Sequence, residues 1–459
     1  MDRTRITRSI AALGLGRSAS DRFVSEVSGV MADVSDTTEP GCDRRRDDHV
    51  SGRHRTRGNL TVWIAGIVLA LFWLTGSSPS ASAEPFLPAD DALVLERLRT
   101  SAADPQAREL RRLRTELAQN PSNLDLAVKL ARRDIEQGRA EADPRFYGYA
   151  QAALSPWWNI HDPPPAVLIL RATLRQSVHD FGGALADLDE VLRMQPNHPQ
   201  AWLTRALIAQ VRGDYQEARR SCAPLGRLST RLVAATCHAG VASLNGEALR
   251  SFDFLRASLE AEPDADPQLK IWVLTILAEM ADRLGKVSEA ETSFRQAMAL
   301  GLRDSYLLGA YADYLLDQGR ASEVVAFLKD ETRADGLLLR LTLAEQVVGA
   351  PSLPEHVEAL RARFEASRRR GDAVHKREEA RFVLHLLNQP REALVLAQAN
   401  WAVQHESWDA RLVLESALAA HDRAAAQPVI EWLTASKLED IHLARLVDPL
   451  ERGGREAKR

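Results

Sequence analysis

The sequence predicts an all-α solenoid built from antiparallel helix pairs. Two segments, residues 168–196 and 202–225, repeat one pattern of large and small residues at an offset of 34. A turn signal lies in the middle of each segment and divides it into two helices. Two helices joined by a short turn are antiparallel neighbours, and they leave an apolar edge uncovered. Only the next pair can cover that edge, so the pairs stack around one continuous core.

The repeated positions have clear structural roles. Small side chains such as Ala172 and Ala206 let two helices approach closely, and Asp180 and Asp214 can cap the second helix by accepting backbone N–H bonds. The matched pairs are Leu168 and Trp202, Arg171 and Arg205, Ala172 and Ala206, Asp180 and Asp214, Phe181 and Tyr215, and Ala184 and Ala218.

This pattern resembles the tetratricopeptide repeat (TPR), whose period is 34 residues. Trp202 and Ala206 stand at the large and small positions of its first helix, Gly213-Asp214-Tyr215 at its turn, and Ala218 on its second helix. Cys222 replaces the usual aromatic residue, and Leu225 replaces the second alanine. The resemblance implies a right-handed superhelix whose first helices line a concave groove. It also implies a protein or peptide partner in that groove.

Weaker copies extend the array in both directions and predict about nine hairpins between Leu124 and Leu433, at about 34 residues per unit. The repeat array is therefore expected over residues 121–436. Residues 84–120 read as a linker with N-terminal capping helices that break at Asp104-Pro105, and residues 437–459 as a C-terminal capping helix and tail.

The N-terminal region predicts export. Residues 1–58 read as a disordered extension, and residues 59–83 as a hydrophobic signal or anchor. The uncharged run 60–76 follows several arginines and precedes small residues that end in Ala81-Ser82-Ala83. Cleavage before Glu84 and retention as an inner-membrane anchor through residues 60–76 both stay open. In either case the body is expected outside the cytoplasm, in the periplasm or anchored to the inner membrane.

Composition and spacing speak against several other functions. The formal net charge of −4 does not favour nucleic-acid binding, which needs a basic surface. The histidines lack the spacing of a zinc protease, and no glycine-rich phosphate loop or nucleophile elbow is present. We therefore expect no catalytic residue, no metal and no small-molecule cofactor. An enzyme would need a buried carboxylate or histidine cluster with shifted pKa values in the groove, and the sequence pattern shows none.

The candidate partner-binding residues lie on the first helices of the two clearest units. Arg171 and Arg205 are one repeat apart and could form a ladder that binds carboxylates or phosphates. The alternative is that their long side chains only cover apolar neighbours. The other groove positions are Ile169, Thr173, Gln176, Ser177, Leu203, Leu207, Gln210 and Val211.

Cys222 and Cys237 are the two cysteines of the body, on the second helix of one unit and the first helix of the next. Neighbouring helices could bring them within the distance of a disulfide, so the paired and the unpaired state both stay open. The favoured function is an exported interaction scaffold. A structural subunit of an envelope secretion or polysaccharide-export assembly, bound along the convex face, is the second hypothesis, and an enzyme is the third.

Overall fold

A computed structural model describes residues 104–371 and 376–456, with side chains up to residue 450. The N-terminal extension, the apolar segment 60–76 and the first capping helix that the sequence predicts all lie outside the described residues. None of the described helices is both long and apolar enough to span a membrane. The hairpins described below all belong to one compact unit, which includes residues 108–371 and 376–456.

Every regular element in the described part of the chain is a helix, and eighteen of these helices form nine antiparallel hairpins. This is the all-α repeat fold and the hairpin number that the sequence predicts. The hairpins are α2–α3 (Leu124–Glu141, Arg145–Ala153), α5–α6 (Pro165–Ser177, Phe181–Met194), α7–α8 (Pro199–Val211, Tyr215–Cys222), α10–α11 (Arg231–Ser243, Ala248–Glu260), α12–α13 (Pro267–Arg283, Val287–Ala299), α14–α15 (Ser305–Asp317, Ala321–Leu328), α16–α17 (Asp335–Val348, Leu353–Arg370), α18–α19 (Lys376–His385, Pro390–Trp401) and α20–α21 (Ser407–Ala419, Gln427–Ser436).

The remaining helices connect or cap the stack. A 3₁₀ turn, Ala424–Ala426, precedes α21. The other four are α1 (Pro105–Gln119), α4 (Ser155–Trp158), α9 (Leu225–Leu228) and α22 (Ile441–Glu456). The helix break predicted at Asp104-Pro105 is the start of α1, where Asp104 Oδ1 accepts the Gln106 N–H at 3.0 Å.

One residue in each hairpin turn adopts the left-handed backbone conformation, which lets the chain reverse within a few residues. Aspartates then cap the second helices as predicted: Asp180 accepts from the Gly183 N–H at 2.9 Å, and Asp214 from the Glu217 N–H at 3.0 Å. The left-handed residues, in hairpin order, are Ala142, His179, Gly213, Gly246, Gly285, Gly319, Gly349, Asn388 and His421.

The core lies between the helices of each hairpin and between successive hairpins. Ala172, Ala206 and Ala218 are fully buried, so the repeated small residues stand where helices meet most closely. Larger residues such as Leu188 and Phe294 fill the remaining space. Burial of large apolar side chains around closely packed alanines is what holds the stack together.

The C-terminal helix begins later than the sequence predicts. Residues 437–440 were expected to be helical, but Lys437 has a φ of 57° and ends α21. Asp440 then caps α22 by accepting the His442 N–H at 2.9 Å. The left-handed residue redirects the chain, which interrupts the helix and turns residues 437–442 toward the middle of the array.

The C-terminal part of the array packs on the turns of the third, fourth and fifth hairpins, and we call this contact the seam. Its hydrogen bonds run from Asn245 Nδ2 to the Ser436 carbonyl at 2.8 Å and from the Ala248 N–H to Glu439 Oε2 at 2.7 Å. Each of these turns contains a glycine that faces the C-terminal part: Gly213 faces His405 and Trp432, Gly246 faces Lys437, and Gly285 faces Ile441. A Cβ atom on any of these glycines would lie 3.1–3.2 Å from the facing side chain. The seam thus depends on turns without side chains.

We expect Gly213→Ala to destabilise the protein more than Gly319→Ala. Both glycines have positive φ, 74° and 70°, so both variants incur a similar backbone strain of about 1 kcal/mol. Only at Gly213 does the new methyl group meet the seam, 3.1 Å from His405 Cβ; nothing lies within 4 Å at Gly319. Overpacking should add about 1 kcal/mol at Gly213. Equal denaturant midpoints for the two variants would show that the seam does not constrain Gly213.

Candidate functional site

Most of the groove positions predicted in the second and third hairpins are not open to a partner. Ile169 and Leu203 lie in the hydrophobic core, 6% and 8% exposed, and their role as contact residues stays a prediction. The hydroxyl groups of Thr173 and Ser177 donate to carbonyl groups of their own helix. Leu207 packs against the core.

The remaining three positions lie nearer the surface. Gln176 is half-buried on α5. Gln210 lines the cavity described below. The Val211 carbonyl accepts the His405 N–H at 2.7 Å, so the chain itself covers this point of the first-helix face.

Arg171 and Arg205 both pair with carboxylates of the protein. Arg171 binds both oxygens of Asp187 at 2.9 and 2.7 Å and also donates to a main-chain carbonyl, with its side chain 12% exposed. Arg205 binds Asp189 and Glu217. A partner carboxylate would have to compete with these internal bonds. The structure therefore gives the two arginines a structural role, and binding of a partner by them stays a prediction.

Cys222 and Cys237 form a disulfide between α8 and α10, with a Cα–Cα distance of 5.7 Å. Both cysteines are buried in the core of the third and fourth hairpins. The bond closes a loop with a sequence separation of 15 residues. For a loop of this length the chain-entropy model gives a stabilisation of about 3 kcal/mol.

A cavity of about 150 Å³ that is lined by many charged residues lies beside the seam and is the candidate functional site. The third to sixth hairpins form one wall, and α18, α20 and α22 with the residues just before α20 and α22 form the other. The cavity wall contains Leu244, Glu279, Asp282, Arg283, Phe294, Tyr306, Ala310, Asp313, Tyr314, Asp317, Arg377, Trp408, Arg411, Asp440, His442 and Leu443, together with Gln210, His405, Glu406 and Ser407.

Ion pairs fix the two walls against each other. Arg411 on α20 binds both oxygens of Asp317 on α14, at 2.7 and 2.8 Å. Asp313, one turn earlier on α14, accepts bonds from Arg340 and Arg381. The α20 arginine thus joins the ninth hairpin to the sixth, and these buried pairs orient the wall.

Trp408 strengthens the same junction. The guanidinium groups of Arg381 and Arg411 both lie over its ring, each 4.3 Å from the ring centroid. Cation–π contacts at this distance stabilise partly buried arginines by about 0.5–2 kcal/mol. The ring therefore helps to hold α18 and α20 in register with α14.

Glu279 and Tyr306 form the open part of the cavity. The Tyr306 hydroxyl donates to Glu279 Oε1 at 2.7 Å, and the tyrosine is 64% exposed, so the pair is reachable from solvent. Desolvation by the surrounding protein raises the pKa of Glu279 to about 7. A carboxyl group that titrates near neutrality can exchange a proton with a bound group.

Asp282, Asp317 and His442 also meet at the cavity wall. Their ligand-type atoms lie within 4.8 Å of one another, and His442 Nε2 is 3.2 Å from Asp282 Oδ2. The ion pair with Asp282 raises the pKa of His442. Three such groups could hold a metal ion. The sequence analysis missed them because they come from three helices and share no local spacing.

Several buried polar atoms of the cavity wall have no hydrogen-bond partner among the described residues. They are Arg283 Nε, His405 Nδ1, Ser407 Oγ and His442 Nε2. Buried polar groups in folded proteins are nearly always satisfied by protein, water or ligand. The wall of the cavity is therefore suited to binding polar ligands.

Comparison with known proteins gives structural likeness only. No family model matches the chain, and no curated protein matches it. A tetratricopeptide repeat protein from Parabacteroides merdae is 18% identical with a TM-score of 0.39, over 52% of this chain and 92% of that one. A monomeric mutant of IFIT1 with Gppp-AAAA is 16% identical with a TM-score of 0.37, over 76% and 86%. Yeast Tom70 is 10% identical with a TM-score of 0.23, over 77% and 93%.

In fold, the helix pairs resemble those of tetratricopeptide repeats. The resemblance rests on the hairpins themselves, on the 34-residue offset between the second and third hairpins and on the left-handed residue in each turn.

The pKa of Glu279 predicts a pH-dependent stability. The folded state holds the Glu279 proton up to about pH 7, whereas an ordinary glutamate releases it near 4.5. The stabilising contribution is therefore complete below 4.5 and is lost as the pH rises through about 7. Glu279→Gln cannot ionise, so its free energy of unfolding should fall less between pH 5 and pH 8 than that of the parent.

The measurement is guanidinium denaturation at both pH values, with Glu260→Gln as the matched control. Glu260 is exposed at the end of α11 and should leave the pH dependence unchanged. If Glu279→Gln shows the same pH dependence as the parent, the carboxyl group titrates normally and the assignment is wrong.

Proposed function

We propose that this protein is an interaction scaffold that binds a segment of a protein or peptide partner at the cavity beside the seam. The observation that carries the proposal is the open Glu279–Tyr306 pair, which combines an exposed aromatic ring with a carboxyl group in a concave polar surface. Exposed aromatic residues in such settings are the side chains that most often dominate binding energy. The sequence predicts a binding site on the second and third hairpins, whereas the site proposed here lies on the fifth and sixth.

The size and charge of the cavity favour one basic side chain of the partner. Pockets for drug-sized molecules occupy about 300–1,000 Å³, so a cavity of about 150 Å³ suits a single side chain. Six carboxylates and three arginines line it. Glu279 has no arginine ion pair among the described residues, whereas Asp282 pairs with His442. A lysine or arginine of the partner would complement Glu279 and could lie against the ring of Tyr306.

We place the body outside the cytoplasm, in the periplasm or anchored to the inner membrane. Two features support this proposal. The N-terminal sequence has the pattern of a signal or anchor. The Cys222–Cys237 disulfide is of the kind that persists in oxidising compartments.

The two other hypotheses each have one supporting observation. A subunit bound along its convex face would use exposed apolar residues on second helices, such as Phe254 and Leu249 on α11, which are 53% and 50% exposed. Isolated apolar residues of this kind are common on protein surfaces. An enzyme would need titratable groups with shifted pKa values in the groove, and Glu279 and His442 provide them. The scaffold remains favoured because two of the three arginines of the cavity wall already pair with its carboxylates, Arg411 with Asp317 and Arg377 with Glu406.

Site-specific photocrosslinking tests the scaffold proposal. The photoreactive residue p-benzoylphenylalanine replaces Tyr306 on the cavity, Tyr149 on the outer helix α3, or Phe254 on the convex face. Tyr149 is 48% exposed and serves as the matched control. We expect a discrete adduct with one envelope protein from position 306 and none from position 149.

The same experiment separates the alternatives. Glu279→Gln combined with the Tyr306 probe should weaken the adduct, because the partner's cation loses its carboxylate. A discrete adduct only from position 254 would instead support the convex-face subunit and refute the cavity as the binding site.

A further inference from the structure

Three helices contribute one metal-type ligand each to the wall of the cavity. Asp282 lies in the last turn of α12, Asp317 is the last residue of α14, and His442 lies in the first turn of α22. Their side chains are 14–20% exposed, so they face each other rather than solvent. No other function described above uses the three groups together.

The distances suit a metal after small side-chain adjustments. Ligand bonds of about 2.0–2.2 Å to zinc, in a tetrahedral arrangement, place the ligand atoms about 3.4 Å apart. The three atoms here lie within 4.8 Å of one another, with one pair at 3.2 Å. One imidazole and two carboxylates form a ligand set that zinc accepts. The fourth position would face the cavity.

The local charge also suits a divalent cation. Arg411 binds both oxygens of Asp317, but it pairs with Glu415 at 2.7 Å as well. The side chains of Asp282, Asp317, Arg411 and Glu415 carry a combined net charge of −2, to which a neutral His442 adds nothing. Each carboxylate oxygen has two lone pairs, so the oxygens of Asp317 can still bind a metal beside Arg411.

A second observation comes from the histidine itself. His442 Nε2 is buried and lies 3.2 Å from Asp282 Oδ2, but the pair is not aligned as a hydrogen bond. A metal ion bound by both side chains would satisfy the two groups. Because His442 is fixed by the Asp440 cap of α22, its ring is held where α12 and α14 end.

We propose that Asp282, Asp317 and His442 bind one Zn²⁺ ion, which fastens the C-terminal helix α22 to α12 and α14. The ion joins residues that are far apart in sequence, so it closes the seam as a cross-link would. This inference is independent of any partner protein. The packing of α22 against α12 and α14 then depends on zinc.

Zinc titration of the full chain, purified without a histidine tag and stripped with a chelator, tests the proposal. Calorimetry should show one saturable Zn²⁺ site, and Co²⁺ should give the visible absorption of a tetrahedral site. His442→Gln and Asp282→Asn should each weaken Zn²⁺ binding at least tenfold and remove the rise of the thermal midpoint that zinc gives the parent. His161→Gln is the matched control, because His161 is 96% exposed and should leave binding unchanged.

Two results would overturn the proposal. One is the absence of saturable Zn²⁺ binding up to about 100 µM, far weaker than a structural site. The other is a His442→Gln affinity equal to that of the parent, since zinc would then bind elsewhere. Circular dichroism verifies that each variant is folded. If His442→Gln unfolds, Asp282→Asn decides the question alone.

Discussion

The seam between the C-terminal residues and the turns of the third to fifth hairpins is the contact on which the candidate site depends. Glu439 accepts the Ala248 N–H and so caps α11, whose own N-cap residue, Glu247, provides no side-chain cap. Asn245 binds the Ser436 carbonyl beside it. These bonds satisfy turn and helix-end groups that would otherwise face water. They also bring α20 and α22 over the first-helix face, which creates the cavity.

The ion pairs and the shifted pKa values at the cavity depend on the packing at the seam. Asp317 and Arg411 are 94 residues apart in sequence and meet only because the array curves back on itself. Burial between the two walls raises the pKa of Glu279, and contact with Asp282 raises that of His442. An open array would leave these groups solvated, with ordinary pKa values. The packing at the seam thus has two effects: it restricts access to the first-helix face, and it shifts the pKa values of Glu279 and His442 in the cavity that stays open.

Local sequence patterns were sufficient to predict the hairpins but not the closure. The repeat at Ala172 and Ala206, the caps at Asp180 and Asp214 and the turn signals all act within one unit, so the fold class follows from them. The proximity of Cys222 and Cys237 could also be anticipated, because they stand on neighbouring helices.

The superhelical curvature, by contrast, is the sum of small rotations between units and has no local signature. Arg171 and Arg205 show the consequence. Their spacing predicted a ladder, but carboxylates on α6 and α8, which the pattern did not single out, already bind them. The cavity was missed for a similar reason, since its residues come from six hairpins and α22.

Hydrogen exchange at the Ala248 amide tests the seam most directly. First-turn amides of helices normally exchange fast because they lack an intrahelical acceptor. If Glu439 holds this amide as the structure shows, Ala248 should be protected in the parent chain and should exchange at least tenfold faster in Glu439→Ala, while the first-turn amide of Ser288 on α13 is unchanged. An Ala248 amide that exchanges as fast in the parent as in Glu439→Ala would show that the seam is open in solution and would contradict the account.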